Sequence, residues 1–303
     1  MKVNPDLFIH PSDKTALNQL EAIPAFPELV KKIMSIGMES YQYGTNMASN
    51  IRLSKNQLPD IYKHLPPICE KLGISEPELY LQMNPIPNAY TFGDTRIFIT
   101  LTSGLLESMT DEELDAVIAH ECGHILCRHV LYHTVANIIR SGAESLGLLG
   151  KMAIPIQFAL FYWYRMSELS CDRAAALVTS PDIVSSTMAR LAGGPKSITQ
   201  NINFEEWAKQ ADEYEKIRQN GMWNKTLQTL AVMSNDHPFS AVRVREIRNW
   251  SQTDIYKKLK NCIQNGTDME ADESQMPNYC PYCGTPITGD WFFCRNCGTK
   301  IRK

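Results

Sequence analysis

The spacing of hydrophobic and polar residues changes from strand-like to helical in the middle of the chain. Residues 96–101 alternate and are rich in β-branched side chains, which predicts a strand. Apolar residues then recur at helical spacing from Leu114 to Ile125. Thr110 and Glu113 have the spacing of a capping box, so we expect this helix to begin directly after Thr110.

The rest of the pattern predicts mostly helices. Short β-like pieces lie between residues 71 and 92, and later helices are expected over about 165–178, 204–220 and 243–259. Together these elements predict an α+β fold that is mainly helical and contains a small mixed sheet.

Composition divides the chain into four regions. Residues 263–278 are acidic, polar and rich in turn formers, as is typical of a flexible linker. We therefore expect an N-terminal helical region (1–67) packed on the main domain (68–262), followed by the linker and a separate small module (279–303).

The stretch over residues 145–164 is apolar enough to be considered as a membrane segment. Lys151, Pro155 and Gln157 interrupt it, and a central lysine is costly in hydrocarbon. We therefore favour a buried helix pair or an interfacial segment over a membrane span.

Composition and charge exclude several classes of protein. Hydrophobic residues make up 44% and charged residues 21%, which argues against wholesale disorder. A net charge of −3 makes a chain-wide nucleic-acid surface unlikely. The N-terminal residues resemble neither a secretory signal nor a transit peptide, so we expect a reducing, cytoplasmic location, with membrane association through 145–164 as the alternative.

The capped helix carries the sequence HECGH, in which His120 and His124 are four residues apart. Residues at this spacing lie one above the other on a helix, so both imidazoles can bind one zinc ion while Glu121 lies beside its water. Glu121 also falls in the middle of the apolar stripe, where an unpaired carboxylate would be costly to bury. A nearby zinc ion removes that cost, so we interpret HECGH as a metal site.

A catalytic zinc site needs a third protein ligand and an open position for water. The best candidate is Glu168, with Asp172 four residues later accepting a hydrogen bond from a ligand imidazole. The alternative is a mildly repulsive acidic pair on a solvated helix face. Ala174, Ala175 and Ala176 permit close helix packing and favour the ligand hypothesis.

Other histidines and cysteines lie close to these motifs. His129 and His133 fall on roughly the opposite face from His120 and His124, so we expect them to be structural or solvent-facing rather than ligands. Val130 stands where a metzincin has its third histidine, which excludes that class. Cys122 and Cys171 are expected to be small buried thiols.

Four stretches of the chain carry a family resemblance: NAYTFGDTRIFITL, HECGH, SELSCDRAAAL, and NDHP before Arg243. With these stretches the chain resembles zinc metallopeptidases of the HtpX and CAAX-prenyl-protease type, which are gluzincins. The resemblance implies a zincin-like peptidase domain and an edge strand at Asn88 and Ala89 that pairs with substrate. It also implies that His237 and Arg243 approach the metal site.

This resemblance implies a zinc-dependent metalloendopeptidase acting on protein or peptide substrates. Zinc would polarise the scissile carbonyl and activate a water, and Glu121 would take the water's proton. His237 or Arg243 would stabilise the developing negative charge. The alternative is a non-catalytic, zinc-stabilised binding or chaperone-like protein that retains the fold.

The C-terminal module contains two CxxC pairs, each followed by a glycine. Its four cysteines resemble those of a zinc ribbon and predict a structural zinc site, for a total of two zinc ions per chain: Cys280, Cys283, Cys294 and Cys297. Its basic and aromatic residues favour docking of a protein partner over nucleic-acid binding.

Overall fold

The computed structural model describes residues 3–24, 26–35, 37–140, 154–219 and 239–268. The strands are β1 (Ile51–Arg52), β2 (Glu78–Gln82), β3 (Ala89–Phe92) and β4 (Phe98–Thr102). The helices are α1 (Pro11–Glu21), α2 (Phe26–Met34), α3 (Met38–Ser49), α4 (Pro59–Tyr62), α5 (Leu65–Leu72), α6 (Ser103–Ser108), α7 (Asp111–Leu126), α8 (Val130–Arg140), α9 (Ile154–Val178), α10 (Pro181–Gly193), α11 (Lys196–Thr199), α12 (Phe204–Gln219), α13 (Ser240–Ser251) and α14 (Asp254–Asn265). A mostly helical fold with a small mixed sheet is confirmed.

The four strands form one sheet in the order β1-β2-β4-β3. β2 and β4 are parallel, whereas β1 pairs with β2 and β3 pairs with β4 in antiparallel fashion. β4 is buried along its whole length because hydrophobic clusters cover both faces of the sheet. Ala89 pairs with Leu101, which makes β3 an edge strand of the described sheet, as the resemblance implies.

Helix α7 begins where the sequence predicts. Thr110 Oγ1 accepts a hydrogen bond from the backbone N–H of Glu113, and the Glu113 carboxylate accepts one from the backbone N–H of Thr110. This capping box satisfies two of the amide donors that a helix start leaves without a partner in the helix. The start of the helix is therefore fixed, and with it the position of HECGH two turns later.

Helix α7 packs closely against α9 through Gly123. A Cβ atom on Gly123 would lie 3.0 Å from Ala174 Cβ and 3.2 Å from Cys171 Cα, which is tighter than ordinary van der Waals contact. A glycine on α7 facing an alanine on α9 lets the two backbones approach. The two helices that carry the predicted zinc ligands are therefore neighbours in the core.

Two helix predictions differ from the structure. α9 begins at Ile154, well before the expected start near residue 165, because its apolar first half packs with α1, α2 and α8. The single last helix expected over 243–259 is two helices, since the Thr253 side chain caps a new helix after α13 ends at Ser251.

The predicted apolar segment at 145–164 is described only from residue 154 onward, where it forms the start of α9. Among the described helices, none has both the length and the apolar character required to cross a bilayer.

Candidate metal centre

The side chains of His120, His124 and Glu168 converge at the interface of α7 and α9. His120 Nε2 lies 3.3 Å from Glu168 Oε2, and His124 Nε2 lies 3.4 Å from Glu168 Oε1. Bonds of about 2.0–2.1 Å to a tetrahedral zinc ion place two ligand atoms about 3.3–3.4 Å apart. The donor types and their separations therefore fit one zinc ion.

Charge around His120 favours a bound cation. Burial lowers the pKa of this imidazole, but the carboxylates of Glu168 and Asp172 outweigh burial and raise it to about 9. At His124 the effect of burial is the larger one, and the pKa of this imidazole is lowered. The carboxylates that favour a proton on His120 would equally favour a metal ion in its place, whereas burial keeps His124 neutral, the form that binds metal.

Asp172 and Arg243 lie directly behind the three converging side chains. Asp172 Oδ1 lies 3.0 Å from His120 Nδ1, so this carboxylate faces the imidazole nitrogen opposite the one near Glu168. Arg243 donates to both oxygens of Asp172, at 2.8 and 2.6 Å, and lies 3.1 Å from Glu168 Oε2. Burial raises the pKa of Asp172, yet the charge of Arg243 outweighs burial and keeps the pKa below its usual value. The buried guanidinium thus holds two carboxylates in place.

Glu121 is buried on the same helix and is held by Thr91 of strand β3. Thr91 Oγ1 donates to Glu121 Oε2 at 2.6 Å. Thr91 has no motif signal of its own, so sequence reasoning missed it. The one available signal is its place in a short strand ahead of the HECGH helix.

The prediction that His129 and His133 lie opposite His120 and His124 is wrong. Helix α7 ends at Leu126, and Arg128 adopts a left-handed conformation (φ 61°) that turns the chain into α8. Both histidines are consequently buried beside His124, with His124 Nδ1 3.3 Å from His129 Nδ1. A rule for residue spacing on one helix does not apply across this turn.

A cleft reaches the predicted zinc site, where His120 and Glu121 form part of its lining. Its polar end contains His120, Glu121 and Arg243, and its walls are mainly apolar. The apolar lining consists of Ala89, Leu105, Ala116, Val117, Ala175, Val184, Met188 and Leu191.

The remaining predicted site residues divide into two groups. Ala89 lines the cleft, and the preceding Asn88 exchanges hydrogen bonds with Thr102 at the start of β3. His237 and the four module cysteines Cys280, Cys283, Cys294 and Cys297 lie outside the described residues.

A helix with paired histidines and a buried glutamate, facing a second helix that carries a glutamate, defines the class of metal-dependent peptidases. Comparison with known proteins agrees. The model of peptidase family M48 matches residues 54–251, and that of a zinc-ribbon domain matches residues 278–301. The chain therefore belongs to peptidase family M48 and is a metalloprotease with a C-terminal zinc ribbon.

Curated relatives include proteins from plants and bacteria. The plastoglobule-localized metallopeptidase 48, chloroplastic, of Arabidopsis thaliana is 38% identical over 260 residues, which cover 84% of this chain and 75% of that protein. A protease HtpX homolog of Pelotomaculum thermopropionicum is 32% identical over 112 residues, covering 34% of this chain and 40% of that protein. No solved structure matches the chain at a significant level.

Proposed function

We propose that the chain is a zinc-dependent endopeptidase that hydrolyses internal peptide bonds of protein substrates. The observation that carries this proposal is the convergence of His120 Nε2, His124 Nε2 and the Glu168 carboxylate, with Glu121 buried beside them. Two imidazoles and one carboxylate are the ligand set of several catalytic zinc sites.

When bound by these three side chains, zinc would polarise the scissile carbonyl and make a water more acidic. Glu121 takes the proton from that water and passes it to the leaving amine, while Thr91 holds the carboxylate in position. Asp172 accepts a hydrogen bond from His120 Nδ1 and so fixes the orientation of its ring. Arg243 pairs with both Asp172 and Glu168 and keeps these two carboxylates in place.

The same proposal assigns substrate contacts to two features. The edge strand β3, beginning at Asn88 and Ala89, pairs with an extended substrate backbone. The mainly apolar lining of the cleft favours a hydrophobic substrate side chain next to the scissile bond. His237, six residues before Arg243 in the sequence, or Arg243 itself, which lines the cleft, would stabilise the oxyanion.

For the C-terminal ribbon we propose a second zinc ion, held by its four cysteines, and a role in docking a protein partner. For the whole chain we propose a cytoplasmic location, with peripheral membrane contact through 145–164 as the alternative. Cell fractionation without detergent separates these two locations: recovery in the membrane pellet would contradict the first.

The test of the catalytic proposal is cleavage of an unfolded protein by the zinc-loaded full chain. We expect cleavage inside the substrate, inhibition by a chelator, and loss of activity in Glu121→Gln with zinc still bound. Glu112→Gln, on the exposed side of the same helix, is the matched control and should cleave normally. A Glu121→Gln variant as active as wild type would contradict the proposal, and zinc binding without any cleavage would favour the non-catalytic alternative.

A further inference from the structure

A second set of buried polar side chains lies on the far side of His124 from Glu168. His124 Nδ1 lies 3.3 Å from His129 Nδ1, and His129 Nε2 lies 3.1 Å from Asp13 Oδ2. All three residues are buried, with exposed fractions of 3%, 1% and 1%. Asp13 belongs to α1, which precedes residues 54–251, the part matched by the family model.

The distances between His124, His129 and Asp13 are consistent with a continuous series of hydrogen bonds. If His124 Nε2 binds a metal ion, its remaining proton is on Nδ1. His129 Nδ1, 3.3 Å away, can accept a hydrogen bond from that proton when the His129 ring carries its own proton on Nε2. That nitrogen faces the carboxylate of Asp13, which accepts.

Asp13 is itself held firmly. Its Oδ1 accepts from Trp163 Nε1 at 2.9 Å, and its Oδ2 accepts from Ser170 Oγ at 2.5 Å. Both donors are on α9, the helix that also carries Glu168. The carboxylate therefore has a fixed position relative to the predicted zinc ligands.

We infer that Asp13 and His129 are positioning residues that hold His124 with its proton on Nδ1 and its Nε2 directed at zinc. This inference rests on the proposed zinc site and extends it to the N-terminal helix. Asp172 plays the same part for His120. Its carboxylate contacts the His120 imidazole directly, whereas the carboxylate of Asp13 reaches His124 through the ring of His129. The zinc affinity of the centre thus depends on α1.

The neighbouring Cys171 allows a competing hypothesis. Its Sγ lies 3.2 Å from His124 Nδ1 and 3.5 Å from His129 Nδ1, so these three atoms could enclose a metal ion of their own. His124 would then have to bind two cations through one ring. A series of hydrogen bonds from His124 through His129 to Asp13 does not require this double role of His124.

The test replaces His129 by two side chains of similar volume. His129→Asn keeps an acceptor near the position of Nδ1, whereas His129→Leu removes it. We expect His129→Leu to weaken zinc binding at HECGH by about 10–100-fold and His129→Asn to retain most of the affinity. Affinity is measured on the full chain by chelator competition. Replacing zinc by cobalt(II) distinguishes metal bound at HECGH from metal bound at the ribbon. Only cobalt bound to the ribbon thiolates would absorb strongly in the near ultraviolet.

Asp13→Leu tests the other end of the chain and should also weaken zinc binding. The control is Arg173→Met, which removes a 3.0 Å bond to the Phe8 carbonyl and so loosens the same N-terminal segment without touching His129. Arg173→Met should leave the zinc affinity unchanged.

Equal zinc affinity in the two His129 variants would overturn the inference, as would an effect of Arg173→Met as large as that of Asp13→Leu. A third equivalent of metal that disappears in Cys171→Ala would overturn it in favour of a second metal site. Each of these results presupposes a wild-type chain that binds zinc at HECGH and cleaves protein, so failure of the proposed function itself is recognised separately.

Discussion

The hydroxyl of Thr91 donates a 2.6 Å hydrogen bond to the carboxylate of Glu121. This contact joins the edge strand proposed to hold substrate to the side chain proposed to move the proton. Thr91 Oγ1 also lies 3.3 Å from the backbone carbonyl of Glu121, so one hydroxyl contacts both the side chain and the main chain. The relative position of strand and helix therefore sets the direction of the Glu121 carboxylate.

Thr91→Val should lower kcat by about tenfold or more. A positioned acid–base group accelerates the reaction by about 10²–10⁴-fold, and Glu121 would lose part of that acceleration without the hydrogen bond that orients it. Zinc content and KM should change little. Kinetics on a peptide substrate, together with metal analysis, check this result.

Tyr90→Phe is the matched control for Thr91→Val. It removes the neighbouring hydroxyl on the same strand, which accepts from Gln42 rather than contacting Glu121. A similar loss of kcat in both variants would mean that general damage to β3, and not the bond to Glu121, is responsible.

Arg243→Met should destabilise the chain and weaken zinc binding. Removing one partner of a buried ion pair costs about 3–5 kcal/mol because the other charge remains buried, and here both Asp172 and Glu168 would be left without their guanidinium. Urea unfolding and zinc competition measure the two effects.

Arg245→Met, two residues along the same helix, is the matched control. It removes ion pairs to the more exposed Asp212 and Glu215 and should cost about 1 kcal/mol or less of stability. Equal losses would contradict a special role for Arg243.

The sequence predicts the local parts of the site better than the long-range parts. HECGH and the capping box lie within one helix, so helical geometry alone places His120, Glu121 and His124 relative to one another. The pairing with Glu168 spans more than forty residues. The need of zinc for a third ligand and the presence of a second acidic motif predict this pairing, and the structure brings the side chains together.

The contacts missed by sequence analysis depend on how separate elements pack. Thr91 and Asp13 carry no motif, and each acquires its partner only when β3 or α1 is docked on the helical core. His129 was misplaced because the chain turns at Arg128, where no glycine marks the left-handed conformation. Spacing rules describe one element at a time and contain no information on these junctions.

Glu113→Gln should lower stability near neutral pH by about 3 kcal/mol, because the Glu113 carboxylate pairs with the buried Arg190 at 3.0 Å and also closes the capping box. Burial raises the pKa of Glu113, but bonds from Ser186, Thr110 and Arg190 outweigh burial and keep it below its usual 4.5. The ionised form is therefore stabilised by folding. Its contribution is full above pH 4.5 and is lost as the pH falls through the lowered pKa.

Urea unfolding of wild type and Glu113→Gln at several pH values checks this dependence. The difference between the two proteins should shrink at acid pH, and a constant or growing difference would contradict the assignment. Asp111→Asn, an exposed residue in the same helical turn, is the control and should have little effect at any pH.

Leu191→Trp should change the side-chain preference of cleavage. Leu191 is partly exposed at the apolar cleft, so a larger side chain there narrows the cleft without overfilling the core. Wild type should prefer phenylalanine or leucine over alanine next to the scissile bond. The variant should reduce that preference by about tenfold or more, since a single methylene group is worth about 1–3 kcal/mol in such pockets.

The values of kcat/KM for a peptide series that varies at one position measure this preference. Leu191→Met conserves volume and should keep the wild-type order of substrates. If Leu191→Trp left the order unchanged while remaining active, the cleft would not be the pocket that receives the substrate side chain.

Metal analysis of the full chain should find two zinc ions, one of which depends on the C-terminal ribbon. Cys280→Ser combined with Cys283→Ser should lose one equivalent, because a Cys₄ site cannot keep its zinc with two thiolates removed. Deletion from residue 279 onward should lose the same equivalent and keep the one at HECGH. Cys262→Ser, outside the ribbon, should retain both. Loss of both ions in the ribbon variant would show that the two sites depend on each other, contrary to the separate module that the spacing of the four cysteines predicts.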